Sequence, residues 1–294
     1  MKHKASPRGR PVDAEIKQYF ADQVRVLAGL QNKPESDSVI AAFASVPRED
    51  YAGKGPWRIM SPLQTGIYQT TCDANPKHLY HSVLISLDQA LGINIGEPSL
   101  WARLLTHLQI KRGSNVLQIG AGSGYYSAIL ANLVGAQGKV TAFEVNDWIV
   151  NIGSKATGKI ANLEVRVGDA TQDLRNLNRK FDFVVAFAGV THPVRSWLDV
   201  LADNGVLLLP VTGSNGWGAM CVFRKIAPYN FAGETLGSCG FYHCQGARNT
   251  YLESQLDIVW SDQKKLTGGV FTLNYDANEI QYEFKGGFLC ASFD

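Results

Sequence analysis

The sequence predicts an α/β fold built on a mostly parallel, doubly wound sheet, with helices ahead of it and a β extension behind it. Three observations predict it. Short apolar runs at 115–119, 139–143, 163–167, 181–186 and 206–211 alternate with stretches of helical periodicity. That order is the signature of parallel strands joined by crossover helices. The first of these runs leads directly into glycines at 120, 122 and 124, so a glycine-rich turn joins a strand to a helix. The composition, 45% hydrophobic and 18% charged over 294 residues, supplies enough apolar side chains for one sizeable core.

The elements follow in chain order. Residues 1–12 form a basic arm, MKHKASPRGRPV, expected to be flexible; without an apolar run it is no secretory signal. Residues 13–97 make an N-terminal helical region. Ile16, Phe20, Val24 and Leu27 fall at helical spacing between Asp13 and Leu30, and Ser38 is placed to cap a second helix running to Ser45, which Pro47 ends. Residues 54–77 carry Pro, Gly, Gln and Thr without period and read as a loop or insertion. Val83–Leu87 reads as a short strand.

Residues 98–225 form the core. A helix runs from Pro98 to Leu108, with proline in its first turn. Strands at 115–119, 139–143, 163–167, 181–186 and 206–211 follow, with helices at 125–133, 151–159 and 194–201; Gly153 and Gly158 weaken the second of these helices. Residues 226–294 form the C-terminal β extension. Residues 219–224 and 256–260 read as antiparallel edge strands, and 270–293 as a hairpin turning at Asp276, Ala277 and Asn278.

Charge and cysteine usage narrow the function class. A formal net charge of +2 gives no footprint for nucleic acid. No run reaches the roughly 18 apolar residues of a membrane span. Five cysteines, at 72, 221, 239, 244 and 290, are an odd and scattered set, which suits reduced thiols in the cytoplasm. Neither Cys239, His243 and Cys244 nor His78 and His81 supply four ligands at a zinc spacing, so no metal is expected.

The stretch VLQIGAGSGYY at 116–126 carries the chemistry. Glycine admits positive φ and lets a ligand approach bare backbone. The helix beyond the loop presents free N–H groups. Glu144, at the end of the next strand, can accept hydrogen bonds from both hydroxyls of a ribose. Asp169, after the third strand, can accept from an adenine amine, or equally cap a helix. The loop reads G-x-G-x-G, lacking the third-glycine spacing of a dinucleotide turn. That form suits S-adenosylmethionine; a plain strand-to-helix turn and a nicotinamide dinucleotide are the competing readings.

Taken together, VLQIGAGSGYYSAILANLVG, VTAFEVN, VRVGDA, FDFVVAFAG and LADNGVLLLPV resemble the successive motifs of protein-L-isoaspartate O-methyltransferases. Upstream, VIAAFASVPREDY and GINIGEPSLWARLL fall where that family has its valine-proline-arginine segment and its substrate loop. The resemblance runs from about residue 20 to about residue 224. It implies a Rossmann-like seven-stranded methyltransferase fold, S-adenosylmethionine as donor, and a peptide or protein carboxylate as acceptor. It assigns Gln118, Gly120, Gly122, Gly124, Glu144 and Asp169 to the donor. It also assigns Asn94 and the backbone at Gly96 to the acceptor.

Departures from the family accompany the resemblance. Gln118 stands where the family has an acid, and Gly96 where it has a serine. Glu97 sets a negative charge beside the expected carboxylate, and Phe187-Ala188-Gly189 replaces a threonine-alanine-alanine. Other acceptors, such as a modified peptide or a small natural product, therefore stay open, as does a homologue that binds without catalysing. A carboxylate is already ionised at neutral pH, so no general base is needed. His192 would be a base only for a hydroxyl or amine acceptor. Trp101 and Leu105 read as core. Trp57, Tyr68 and Tyr80 read as packing, with an aromatic lid over a peptide as the alternative.

Overall fold

A computed structural model describes residues 12–64, 66–172, 174, 177–275, 279–284 and 287–292. The basic arm up to residue 11 and the turn at 276–278 lie outside the described residues. Helices α1 (Ala14–Leu27) and α2 (Asp37–Ser45) open the chain. The residue at the N-cap of α2 is Ser36; Ser38 lies inside the helix. The 54–77 segment is more than a loop. It carries strands β1 (Arg58–Met60) and β2 (Gln69–Thr70), which join β3 (Leu84–Asp88) and β4 (Ile93–Ile95) in a four-stranded antiparallel sheet of order β2-β1-β3-β4.

The core continues through α3 (Pro98–Leu108), β5 (Asn115–Ile119), α4 (Tyr125–Val134), β6 (Lys139–Glu144), α5 (Asp147–Thr157), β7 (Leu163–Val167), β8 (Phe181–Ala186), α6 (Arg195–Asp199) and β9 (Leu201–Thr212). The extension adds β10 (Trp217–Ala227), β11 (Asn230–Gly240), α7 (Thr250–Trp260), α8 (Gln263–Leu266), β12 (Thr267–Tyr275), β13 (Glu279–Phe284) and β14 (Gly287–Ser292).

The main sheet has ten strands in the order β14-β13-β12-β11-β10-β9-β8-β5-β6-β7. The expectation of seven mostly parallel strands is corrected here. Pairings among β5–β9 are parallel, and every pairing from β9 to β14 is antiparallel. β9 is the joint between the halves. A second correction falls on 256–260, which belongs to helix α7. Leu252, Leu256, Val259 and Trp260 are buried at helical spacing, and Asn249 caps the helix by accepting from the Leu252 N–H at 3.0 Å. Strand β11, with Gly233 and Gly237 inside it, was not expected at all.

The apolar runs are continuous because both faces of the sheet are covered. Val116, Val140, Val185 and Leu208 point into one core with helices α1–α4; Leu117, Phe143, Val184 and Leu207 point into another with α6 and α7. The arginine of the valine-proline-arginine segment is structural. Arg48 is fully buried, donates to the carbonyls of Leu79, His81 and Val83 at 2.7, 2.6 and 3.2 Å, and lies over the rings of Phe20 and Tyr125. It ties the segment leading into β3 to the helical layer. Arg248 does the same for the extension, donating to the carbonyls of Thr212 at 3.2 Å and Gly213 at 2.7 Å and pairing with Glu253 at 2.7 Å. Trp57 and Tyr80 are core residues, as the packing reading expected.

Candidate functional site

A cavity of about 970 Å³ opens at the carboxyl ends of β5, β6 and β8, between the β3–β4 hairpin and the extension. This is where parallel α/β sheets hold their ligands. Its floor is the glycine loop. Gly120, Gly122 and Gly124 all have positive φ, at 77°, 56° and 92°, a region costly to any residue with a Cβ. The loop is pinned from below, with the N–H groups of Gly120 and Ala121 both 2.9 Å from the Phe143 carbonyl. Helix α5 packs on it through Gly153, where a Cβ would lie 1.9 Å from the Ser123 carbonyl oxygen. The glycine that weakened the helix expectation is thus the contact that lets α5 reach the loop. Gly153→Ala is expected to destabilise the fold by about 1–3 kcal/mol through overpacking. Because the pushed group is loop backbone, donor-product affinity should fall too, which melting curves with and without S-adenosylhomocysteine would read.

Glu144 sits at the cavity's edge with both oxygens engaged. One accepts from Gly122 N–H at 2.8 Å, the other from the backbone and side-chain N–H groups of Asn146 at 3.2 Å each. The carboxylate is buried, lines the cavity and has further acceptor capacity beyond these bonds. Asp169 lines the same cavity, and one of its oxygens accepts from the Thr171 N–H at 2.8 Å, a turn contact two residues on. Val145, between Glu144 and Asn146, presents exposed apolar surface to the cavity, a contact the sequence did not single out.

Gln118 is fully buried beneath the loop and is not a wall residue. Its Oε1 accepts from the Ser127 hydroxyl at 2.6 Å, while its Nε2 has no partner. The buried hydroxyls of Ser123, Tyr125 and Thr171, all cavity residues, are orphaned as well. A buried polar group left unpaired costs about 1–3 kcal/mol. Of these groups, Ser123 is on the glycine loop itself and lines the cavity, where its hydroxyl is open to a polar ligand. Gly124 contributes as the N-cap of α4 and does not line the cavity.

On the acceptor side the β3–β4 hairpin brings Asn94 and Gly96 to the cavity wall. The Asn94 amide donates to the Gly92 carbonyl at 3.3 Å and is bonded to the Tyr68 hydroxyl. The Gly96 carbonyl accepts from the Tyr126 hydroxyl at 2.7 Å. Glu97 does not oppose an incoming anion. Its carboxylate caps α3, accepting from the N–H groups of Ser99 at 3.0 Å and Leu100 at 2.6 Å, and from the Ser82 hydroxyl. The positive end of the helix dipole offsets its charge.

Phe187, past β8, stacks on Trp101 at 3.6 Å between ring centroids and 11° between planes. Trp101 and Leu105 are core residues as expected, but Trp101 is also wall. The extension completes the enclosure. Gly189 N–H donates to the Tyr242 carbonyl at 2.7 Å and its own carbonyl accepts from Cys244 N–H at 2.8 Å, which lays 241–245 along the cavity. No sequence signal pointed to that segment, because it arrives through an isolated parallel bridge between Gly189 and His243, past the end of β8.

His192 is not a wall residue, and its Nδ1 lies 2.8 Å from the Thr191 hydroxyl. Burial pushes the Cys244 thiol up to about 12 and raises that of Cys239 strongly, so both stay protonated. Cys72, Asp73 and His78 gather outside the cavity, where His78 Nε2 is already 2.8 Å from Asp73 and 3.5 Å from Cys72.

Known proteins match this arrangement. The sequence profile of the family described as protein-L-isoaspartate(D-aspartate) O-methyltransferase matches residues 22–245. A protein-L-isoaspartate O-methyltransferase of Methanococcus maripaludis is 30% identical over 182 residues, 60% of this chain and 74% of that one. The protein-L-isoaspartate O-methyltransferase 1 of Rhodopseudomonas palustris is 30% identical over 208 residues, 69% of this chain and 75% of that one. A solved protein-L-isoaspartate O-methyltransferase superposes with a TM-score of 0.64 over 95% of this chain and 88% of its own, at 18% identity. A Plasmodium falciparum structure assigned to the same enzyme, in complex with S-adenosyl-L-homocysteine, gives 0.58 over 78% of this chain and 98% of its own, also at 18% identity. At that identity the structures speak for the fold; the profile, spanning most of the chain, speaks for the family. The chain belongs to the protein-L-isoaspartate(D-aspartate) O-methyltransferase family.

Proposed function

We propose that the protein transfers a methyl group from S-adenosyl-L-methionine to a carboxylate of a peptide or protein, of the isoaspartyl kind. The observation that supports this reading is the continuous cavity running from the glycine loop and Glu144 to the Asn94–Gly96 hairpin, with room for donor and acceptor side by side. The residues fit the donor. Glu144 would hold the ribose hydroxyls, Asp169 the adenine amine and Val145 the face of the base. The orphaned hydroxyl of Ser123 would meet the polar amino-acid end, with Gln118 supporting the loop from beneath.

When bound, the donor supplies an electrophilic methyl carbon on a sulfonium sulfur. The chain's own work is placement. A carboxylate with a pKa of about 4 arrives ionised, so no side chain has to remove a proton. The hairpin and the aromatic wall hold the acceptor oxygen in line and keep water away. Orientation of this kind can supply about 7–11 kcal/mol of barrier lowering. A cytoplasmic location accompanies this reading, supported by free thiols at Cys72, Cys221, Cys239 and Cys244. The Gly96 departure favours a second reading, in which the same transfer serves a different acceptor.

Incubation with labelled donor and an isoaspartyl peptide, against its aspartyl counterpart, tests the reading. A base-labile methyl ester on the isoaspartyl peptide is expected. Binding of S-adenosylhomocysteine without any ester would reject the isoaspartyl acceptor and favour the second reading.

A further inference from the structure

We propose that the indole N–H of Trp101 grips the acceptor carboxylate, in the place of the side chain that position 96 lacks. The inference rests on the carboxylate-transfer reading above and names the group that recognises the acceptor. A Cβ built on Gly96 would lie 2.7 Å from Trp101 Nε1 and 3.2 Å from its Cδ1. The space a side chain at 96 would fill is therefore taken by the edge of the indole that bears the N–H.

That N–H has no hydrogen-bond partner among the described residues, although the side chain is 99% buried, at 1% exposed, and forms part of the cavity wall. Indole nitrogen donates and never accepts, so an unpartnered one calls for an acceptor atom on the ligand. The neighbouring polar groups are engaged. The Tyr126 hydroxyl is bound to the Gly96 carbonyl and the Asn94 amide to the Gly92 carbonyl. The first N–H groups of α3 are closed off by Glu97, so the helix N-terminus offers nothing to an anion.

The indole is also rigidly held. It stacks on Phe187, meets Tyr126 at 5.4 Å and Phe241 edge-on at 6.1 Å. A donor fixed in an aromatic, water-poor wall needs no reorganisation when a charge docks. The Phe187 departure acquires a purpose on this account: it is the plate against which the donor is set.

Steady-state kinetics on an isoaspartyl peptide test the proposal with Trp101→Phe, Gly96→Ser and the double variant, alongside calorimetry with S-adenosylhomocysteine. Trp101→Phe removes the N–H and keeps a stacking ring. It is expected to raise the peptide KM by about 10- to 100-fold, the range for one hydrogen bond to a charged group, with product affinity unchanged. Gly96→Ser alone should impair turnover, because its side chain meets the indole. The double variant should recover peptide KM, since the serine hydroxyl then has both room and a ligand. Site-specific benzothienylalanine at 101, which keeps the indole shape without an N–H, gives the same readout if phenylalanine disturbs folding. A wild-type peptide KM in either replacement would overturn the proposal, as would an equal loss of product affinity. Absence of ester from the unmodified protein would instead reject the carboxylate reading on which the proposal stands.

Discussion

Glu144→Ala is expected to weaken binding of S-adenosylhomocysteine by about 100-fold or more and to lower stability as well. The carboxylate would give a ribose two charge-assisted hydrogen bonds, each worth about 1.5–3 kcal/mol net. It also fixes the cavity floor, since it accepts from Gly122 N–H and from both N–H groups of Asn146. Alanine removes the ligand contact and releases the loop together. Glu144→Gln separates the two effects. One amide oxygen can still accept from Gly122, while the amide nitrogen cannot accept from a hydroxyl, so an intermediate loss is expected. Calorimetric titration reads both. Affinity in Glu144→Ala within about threefold of the unmodified protein would remove this residue from the donor site.

Arg48→Met is expected to lower unfolding free energy by about 3–5 kcal/mol, because three buried carbonyls lose their charged donor while the burial of a cation is relieved. The guanidinium satisfies the carbonyls of Leu79, His81 and Val83 in a fully buried position. Methionine has comparable bulk and leaves those oxygens without donors, each at about 1–3 kcal/mol. The relief of no longer burying a cation offsets part of that sum. For a chain of this size the shift corresponds to roughly 10 °C in melting temperature. Arg48→Lys keeps the charge but not the fork and should fall between. An unchanged denaturation midpoint in Arg48→Met would show that the carbonyls find other partners.

Much of the parallel half of the fold was legible because its strands are covered on both faces and so read as unbroken apolar runs. The antiparallel half was not. β11 carries Gly233 and Gly237, and a Cβ at 233 would lie 2.2 Å from the Phe271 ring, so its glycines answer to a neighbouring strand that sequence order hides. Helix α7 was misread from its last five residues, LDIVW; the overlooked signal was Asn249, its cap. In the site, the glycine loop and Glu144 are local features and were visible. The direction of Glu97 depends on Ser82, and the unpaired state of Gln118 on Ser127 and the burial around it, neither of which is set by spacing along the chain.

Strand β11 continues the sheet and then delivers 241–245 to the cavity wall. Truncation toward a minimal fragment is therefore expected to cost both stability and one wall of the cavity. A chain ending after β10 would strip the pairing partner from β10, bare the apolar side chains that Leu252, Leu256 and Phe271 now cover, and remove one side of the chamber. The end of β11 and the segment that follows it are as much a part of the chamber as the glycine loop, and a homologue without them would enclose a differently shaped space.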